Sequence, residues 1–374
     1  MPPLRVAIVA PSLGILGGQA VQASRLLRAW HGDPDVLAWL VPVNPQPPAA
    51  LRWLMRIKYV RTIVTQLLYW PLLFRELAHA DVVHVFSASY SSFLLSPLPA
   101  LLVARWLGRP VVLNYRSGEA PDHLKRSGIA RRFIAGVDRN VVPSQFLVDV
   151  FAQYGISAEI VPNLVDMDLF RYRDRSVLQP RLLSTRNLGY PYNVACTLRA
   201  FELVQRERPD ATLTLVGAGS DEPALRALAR DLALRGVTFA GPMTPDAIAG
   251  QYASHDIYLQ SPDIDNTPTS VIEAFASGLP VVSTCTGGVP VLVADGEQGL
   301  LAPIDDHEAL AAHVLRLLNE PGLGHRLARN AHAAAAAYSW PAVRAQWLRA
   351  YTSVRASKRN RGPAPMAAPM GVGK

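Results

Sequence analysis

Through the first 165 positions, short apolar runs alternate with stretches whose apolar residues recur three or four apart. LRVAIVAPS (residues 4–12) is followed by GGQAVQASRLLRAW (17–30), and DVVHVFS (81–87), RPVVLNY (109–115), NVVPS (140–144) and AEIVPN (158–163) come later with helical patterns between the earlier ones. Runs of this kind, apolar on both faces, predict buried strands, and the intervening helical patterns predict crossovers. Parallel strands joined by helices are the economical arrangement.

The periodicity lapses in NLVDMDLFRYRDRSVLQP, residues 163–180, which places a link between domains there. A second series then begins: RLLST, ATLTLVG, VTFAG, DIYLQS and PVVST, separated by helical stretches such as EPALRALARDLAL. The expected fold is α/β, two Rossmann-like domains facing a central cleft, spanning residues 1–165 and 166–339. A helix at 340–355 is expected to cross back to the first domain, and the Pro-, Gly- and basic-rich residues 356–374 are expected to form a flexible tail. Val82 to Ala104 lacks charge but contains SASYSS, Pro97 and Pro99, so it reads as strand, loop and buried helix and not as a membrane span of about 20 apolar residues.

At 374 residues the chain is long enough for two cores. Cys196 and Cys285 are too few for a disulfide framework and stand in no zinc-like spacing, which points to a reduced, cytoplasmic setting and no metal. The start lacks the basic region and long apolar stretch of a cleaved signal, so it reads as structural. Of the net charge of +8, residues 1–165 hold 16 Lys+Arg against 9 Asp+Glu, whereas residues 166–354 hold 16 against 20. The N-terminal half is therefore the one suited to an anionic acceptor or surface. No recognition helix, zinc finger or RNP pattern accompanies the charge, which argues against nucleic acid.

The most informative window is SPDIDNTPTSVIEAFASGLPVVSTCTGGVP, residues 261–290. Thr267 is expected as the N-cap and Pro268 as the first position of a helix that separates Asp265, on a loop, from Glu273. Free N–H groups at that helix start favour phosphate, and a carboxylate nearby accepts hydrogen bonds from sugar hydroxyls, the combination a nucleotide sugar needs. The blander alternative is a capping box of Ser270 and Glu273 with Asp265 as a turn residue.

Several other features carry two readings. Gly217 and Gly219 precede a helix, but the third glycine of a dinucleotide fingerprint is replaced by Glu222, so a tight strand-to-helix turn is expected. Gly17 and Gly18 either bring helix N–H groups to phosphate or only form a turn. His84 reads as a satisfied core histidine. The segment ALRWLMRIKYVRTIVTQLLYW holds Arg52, Arg56, Lys58 and Arg61 among apolar residues, which suits either an anionic membrane surface or a crossover helix with snorkelling side chains. The basic loop HLKRSGIARR, 123–132, faces either a phosphate-bearing acceptor or solvent.

The 261–290 window resembles the retaining, GT-B-fold glycosyltransferases of family 4, whose hallmark is an acid, seven residues and a glutamate, here D-N-T-P-T-S-V-I-E followed by AFASGLPVVST, Gly287 and Gly288. GGQAVQASRLL, IVPNLVDMDLF, LVGAGSDEPALRALA, VTFAGPM and GLLAPIDDHEALAAHVLRLLNEP extend the resemblance over nearly the whole chain. It implies a UDP- or GDP-linked donor, with Glu273 on the ribose, Asp265 on the donor sugar, and the backbone of Asn266, Thr267, Pro268 and Thr269 beside the sugar and diphosphate. Gly17, Gly18 and Gly217 fall at donor-side positions, the acceptor is a glycan, a lipid-linked compound or a small molecule, and no metal is required. Two positions depart from the pattern. The family's arginine stands at Arg186, but the lysine five positions on is Pro191, and Arg116 stands where a histidine is usual. A weakened, binding-only family member and a sugar-nucleotide epimerase of the same fold are the alternatives. A pyridoxal-dependent phosphorylase is excluded, because no lysine occurs between Asp166 and Ala350.

Overall fold

The computed structural model describes residues 2–14 and 17–361. The first series of runs forms a sheet of β1 (Leu4–Ala10), β2 (Val36–Pro42), β3 (Val82–Ser87), β4 (Val111–Tyr115), β5 (Arg139–Val142) and β6 (Glu159–Ile160). Its order is β2-β1-β3-β4-β5-β6 with every pair parallel. The second series forms β7 (Arg181–Ser184), β8 (Thr212–Val216), β9 (Val237–Gly241), β10 (Ile257–Leu259), β11 (Val281–Thr284) and β12 (Gly299–Ala302). These are also all parallel, in the order β12-β11-β10-β7-β8-β9. Two edge strands, β2 and β12, were not predicted. β2 is partly exposed and ends at a proline, so it lacks the uniformly apolar signature of the central strands, whereas β12, GLLA, carries that signature over four residues.

Each sheet is covered on both faces. Tyr69, Leu73 and Leu77, on helix Lys58–Leu77, join one core of the first sheet. The other face is closed by Val343, Trp347, Ala350, Tyr351 and Val354 from the chain's last helix, packed with Val6, Ile8 and Val82. That helix runs Trp340–Arg361, longer than predicted, so residues 356–361 belong to it and not to a tail. Residues 362–374 lie outside the described residues. Between β6 and β7 the chain from 161 to 180 forms neither helix nor strand.

Two local expectations need correction. Residues 123–132 are not a loop but parts of helices Ala120–Arg126 and Gly128–Ala135, the second capped by the Ser127 hydroxyl, which accepts from the Ala130 N–H. The Arg52 to Arg61 segment is not one helix: a 3-10 turn, Ala49–Arg56, is broken at the extended Ile57 before the α-helix begins at Lys58.

In a doubly wound sheet the strand order reverses at one pair, and loops leaving those strands diverge to open a crevice. In the second sheet β7 and β10 are that pair. Arg186 follows β7 and Asp265 follows β10.

Candidate active site in the cleft

Asp265 and Arg186 meet at the start of helix Thr269–Ser277. The Arg186 guanidinium donates through Nη2 to Asp265 Oδ2 and through Nη1 to Ser270 Oγ at 2.9 Å, and it lies over the Tyr192 ring at 4.2 Å. Burial, the largest single influence, lowers the pKa of Arg186, but the Asp265 charge and hydrogen bond together with Tyr192 and Tyr258 outweigh it and the net shift is upward, so this guanidinium stays charged.

The glycines hold the two loops in place. A Cβ on Gly217 would lie 2.1 Å from the Arg186 carbonyl oxygen, and one on Gly219 would lie 2.0 Å from that of Leu188. Gly217 also has φ of +149°, so the strand-to-helix turn needs glycine there for space and for backbone conformation. Gly287 and Gly288 do the same for the acidic loop, where added Cβ atoms would lie 2.0 Å from the Asp265 oxygen and 2.2 Å from that of Asn266. The Gly288 N–H donates to the Asp265 carbonyl at 3.1 Å.

The helix begins one residue later than predicted. Pro268 has the extended φ/ψ of −62°/113° and is itself the N-cap, so Thr269 is the first helical residue and Thr267 is not a cap. The capping box is absent too, since Ser270 accepts from Arg186 while Glu273 is engaged elsewhere. Three buried polar atoms around this point have no hydrogen-bond partner among the described residues: Arg186 Nε, Asn266 Nδ2 and Thr267 Oγ1. Unpartnered donors at a helix start form a ready anion and hydroxyl site.

The first sheet contributes the opposite wall. Arg116, just after β4, donates to Asn163 Oδ1 and, at 3.4 Å, to Asn114 Oδ1, with the Phe86 ring 5.4 Å away. Burial pulls its pKa down. Asn163 Nδ2 in turn donates to the Thr267 carbonyl at 2.8 Å, and Ser144 donates to Asn266 Oδ1. Gly118 packs directly on the acidic loop, where a Cβ would be 3.2 Å from the Asp265 carbonyl carbon. Gly17 is the extended N-cap of helix Gly18–Trp30, and among the described residues Cβ atoms on Gly17 and Gly18 would meet nothing within 4 Å. The tight-turn alternative bears on the loop that leads into Gly17, whose residues 15 and 16 lie outside the described residues.

His84 is the core residue expected: fully buried, with Nδ1 2.8 Å from the Tyr351 hydroxyl and Nε2 3.1 Å from Asn114 Nδ2. Burial, with Arg116 nearby, pushes its pKa down to about 3.

Glu273 lies about one turn beyond Ser270 on helix Thr269–Ser277, linked to it through the Tyr252 hydroxyl. Its Oε1 takes Arg25 Nη2 at 2.6 Å, both side chains being buried, and its Oε2 accepts from the Tyr252 hydroxyl at 2.9 Å. Tyr252 is held neutral by burial first and by the Glu273 charge second, both of which raise its pKa. Arg25 lies on helix Gly18–Trp30, so this ion pair joins the two halves of the chain. Beside it Gln22 exchanges hydrogen bonds with the backbone of Leu164 and donates to Thr269 Oγ1 at 3.2 Å. Arg25, Gln22, Asn163, Ser144 and Tyr252 were not singled out from the sequence. Their only signal is polar residues in otherwise apolar surroundings, a weak one without the fold. Among the described residues no group of three His, Cys, Asp or Glu side chains is placed to hold a metal ion.

Two parallel doubly wound sheets with a cleft between the carboxyl ends of their strands make up the GT-B architecture of glycosyltransferases. The Anabaena protein Alr3699/HepE, solved in complex with UDP-glucose, superposes with a TM-score of 0.75 over 94% of this chain and 100% of that one at 17% identity. Sucrose-phosphate synthase from Thermosynechococcus elongatus gives 0.72 over 95% and 100% at 18% identity. Residues 16–169 match the model for Glycosyltransferase Family 4 and residues 179–320 that for Glycosyl transferases group 1. The chain belongs to this family. A D-inositol 3-phosphate glycosyltransferase of Acidothermus cellulolyticus is 29% identical over 68% of this chain, and the match takes in 62% of the relative's own length.

Proposed function

We propose that the chain transfers a sugar from a nucleoside-diphosphate-sugar donor to a glycan, lipid-linked or small-molecule acceptor, with retention of anomeric configuration, without a metal, in the cytoplasm. Residues 166–339 act as the donor unit and residues 1–165 as the acceptor side. The reading is carried by the meeting of Arg186 and Asp265 at the start of helix Thr269–Ser277, where three buried polar atoms lack partners among the described residues. A diphosphate seated there meets Arg186, the N–H groups of residues 269 and 270, and, across the cleft, the start of helix Gly18–Trp30. As the sugar leaves, negative charge builds on the diphosphate, and fixed positive groups stabilise that charge more than the ground state. Arg186 and Arg116 are assigned this work in place of the family's lysine. Asp265, with the backbone of Asn266 and Thr267, orients the transferred sugar. A UDP-linked donor is favoured over a GDP-linked one by analogy with the HepE complex, which contains UDP-glucose.

The test is donor turnover in Arg186→Ala and Arg116→Ala. Each is expected to lose about a hundredfold or more in kcat, the ~3 kcal/mol that one such group contributes in the transition state, with free-nucleoside binding unchanged. Arg116→His restores the family's usual residue, and wild-type turnover in that variant would assign the position to geometry and not to charge. Wild-type protein that gains thermal stability with UDP-sugars yet neither transfers nor hydrolyses them would replace this reading with the binding-only one.

A further inference from the structure

The first sheet carries a surface that sugar transfer leaves unused. On helix Lys58–Leu77, Tyr69, Leu73 and Leu77 face the core, yet Tyr59, Ile63 and Leu67 are 76%, 60% and 69% exposed. Residues four apart on a helix lie on one face, so these three form a continuous apolar stripe. Phe74 continues it edge-on to Trp106, with rings 5.1 Å apart, and Trp106 is itself 75% exposed at the end of helix Pro97–Trp106. Trp53, on the 3-10 turn that precedes the stripe, is exposed as well. Single exposed apolar side chains are ordinary, but a stripe of large ones marks a surface that meets something apolar.

The charge around the stripe selects the occupant. From Ala49 to Trp106, the segment that carries the stripe, the chain holds six Lys+Arg and two Asp+Glu. Arg52, Arg56, Lys58 and Arg61 are all exposed on the same two elements, and Lys58 Nζ lies 5.6 Å from the Tyr59 ring centre. A second copy docked face to face would set these cations against their own kind, whereas an anionic bilayer offers negative headgroups to the basic residues and an acyl boundary to the stripe. We propose that this face docks the chain onto anionic lipid, with Trp53, Tyr59, Ile63, Leu67 and Trp106 entering the interface. Among the described residues no helix is long and apolar enough to cross a membrane, so this is binding to the surface. The inference stands apart from the transfer reaction and does not depend on donor chemistry.

Co-sedimentation of the full chain with vesicles of phosphatidylcholine mixed with phosphatidylglycerol, or of phosphatidylcholine alone, tests it. Wild-type protein is expected to pellet with the mixed vesicles, much less with phosphatidylcholine alone, and less as salt is raised. Changing Arg52, Arg56, Lys58 and Arg61 to Gln is expected to lower the partition coefficient by about fivefold per charge removed. Changing Tyr59, Ile63 and Leu67 to Ser is expected to lower it on both vesicle types, and because all seven positions are exposed both variants should keep the wild-type melting temperature. Wild-type protein left in the supernatant with mixed vesicles overturns the proposal, as does a serine variant that binds like wild type. A lipid-free dimer that the serine changes dissolve would give the surface to a second copy instead. Thermal shift with UDP-sugars on the same preparations tests the transfer reading separately.

Discussion

At the scale of single residues, Glu273 shows how a motif position is recruited twice. The sequence offered two roles for it, ribose ligand or capping-box partner, and the structure gives it a third: both carboxylate oxygens are taken by Arg25 and Tyr252 in a buried interdomain pair. Removing one partner of a buried pair leaves the other charge desolvated and unpaired. Glu273→Ala is therefore expected to lower the free energy of unfolding by about 3–5 kcal/mol, and the double change Arg25→Met with Glu273→Leu by less than the single one, because no orphan charge remains. Urea unfolding of the three proteins checks this, and a single variant as stable as wild type would show that the pair contributes nothing net. Donor affinity measured alongside separates the ribose role, since that effect should persist in the double variant. The pair was invisible in the sequence because Arg25 and Glu273 are 248 positions apart and nothing local to either names the other as its partner.

Among the elements, the legible parts are those whose signal is local. The central strands declared themselves because each is apolar on both faces, and the Arg186 and Asp265 loops could be placed because they follow two such strands. The helix start at 269 was misplaced by one residue, since a proline fits both the first helical position and the extended cap, which Pro268 is here with ψ of 113°. Close approach of backbone to glycine is likewise tertiary information. Gly219→Ala forces a Cβ against the Leu188 carbonyl and is expected to cost about 1–3 kcal/mol of stability and to displace Arg186, two residues before Leu188, lowering kcat. Gly250→Ala is the control: it lies inside helix Pro245–Ser254 with nothing within 4 Å of a Cβ, and is expected to stabilise by about 0.5–1 kcal/mol with unchanged turnover. Thermal unfolding with donor turnover distinguishes the pair. Equal effects of the two substitutions would mean that the 217–219 turn yields without moving the arginine.

For the whole molecule the question is how a chain that leaves the first sheet at β6 and builds a second comes to stabilise the first again. Helix Trp340–Arg361 returns to complete the core that Val6, Ile8, Val82 and Trp30 leave open, with Trp347 and Tyr351 buried and Trp340 edge-on to Trp30 at 4.6 Å. At its start Arg344 binds Asp33 and Asp35. The two contacts differ in kind. The Arg344 ion pairs are partly exposed and screened, so Arg344→Ala is expected to cost no more than about 1 kcal/mol. Trp347→Ala leaves a cavity beside His84, whose ring is 4.5 Å from the indole, and is expected to cost about 3–5 kcal/mol. Because the damage lies in the core of the first sheet and the Arg186 loop belongs to the second, donor binding by the Arg186 site should survive wherever the protein remains folded. Chemical unfolding of both variants, followed by tryptophan fluorescence and by donor affinity, measures this. A Trp347→Ala protein that unfolds like wild type would mean that the returning helix only rests on the first half, and a loss of donor affinity without loss of stability would mean that it instead sets the spacing of the cleft.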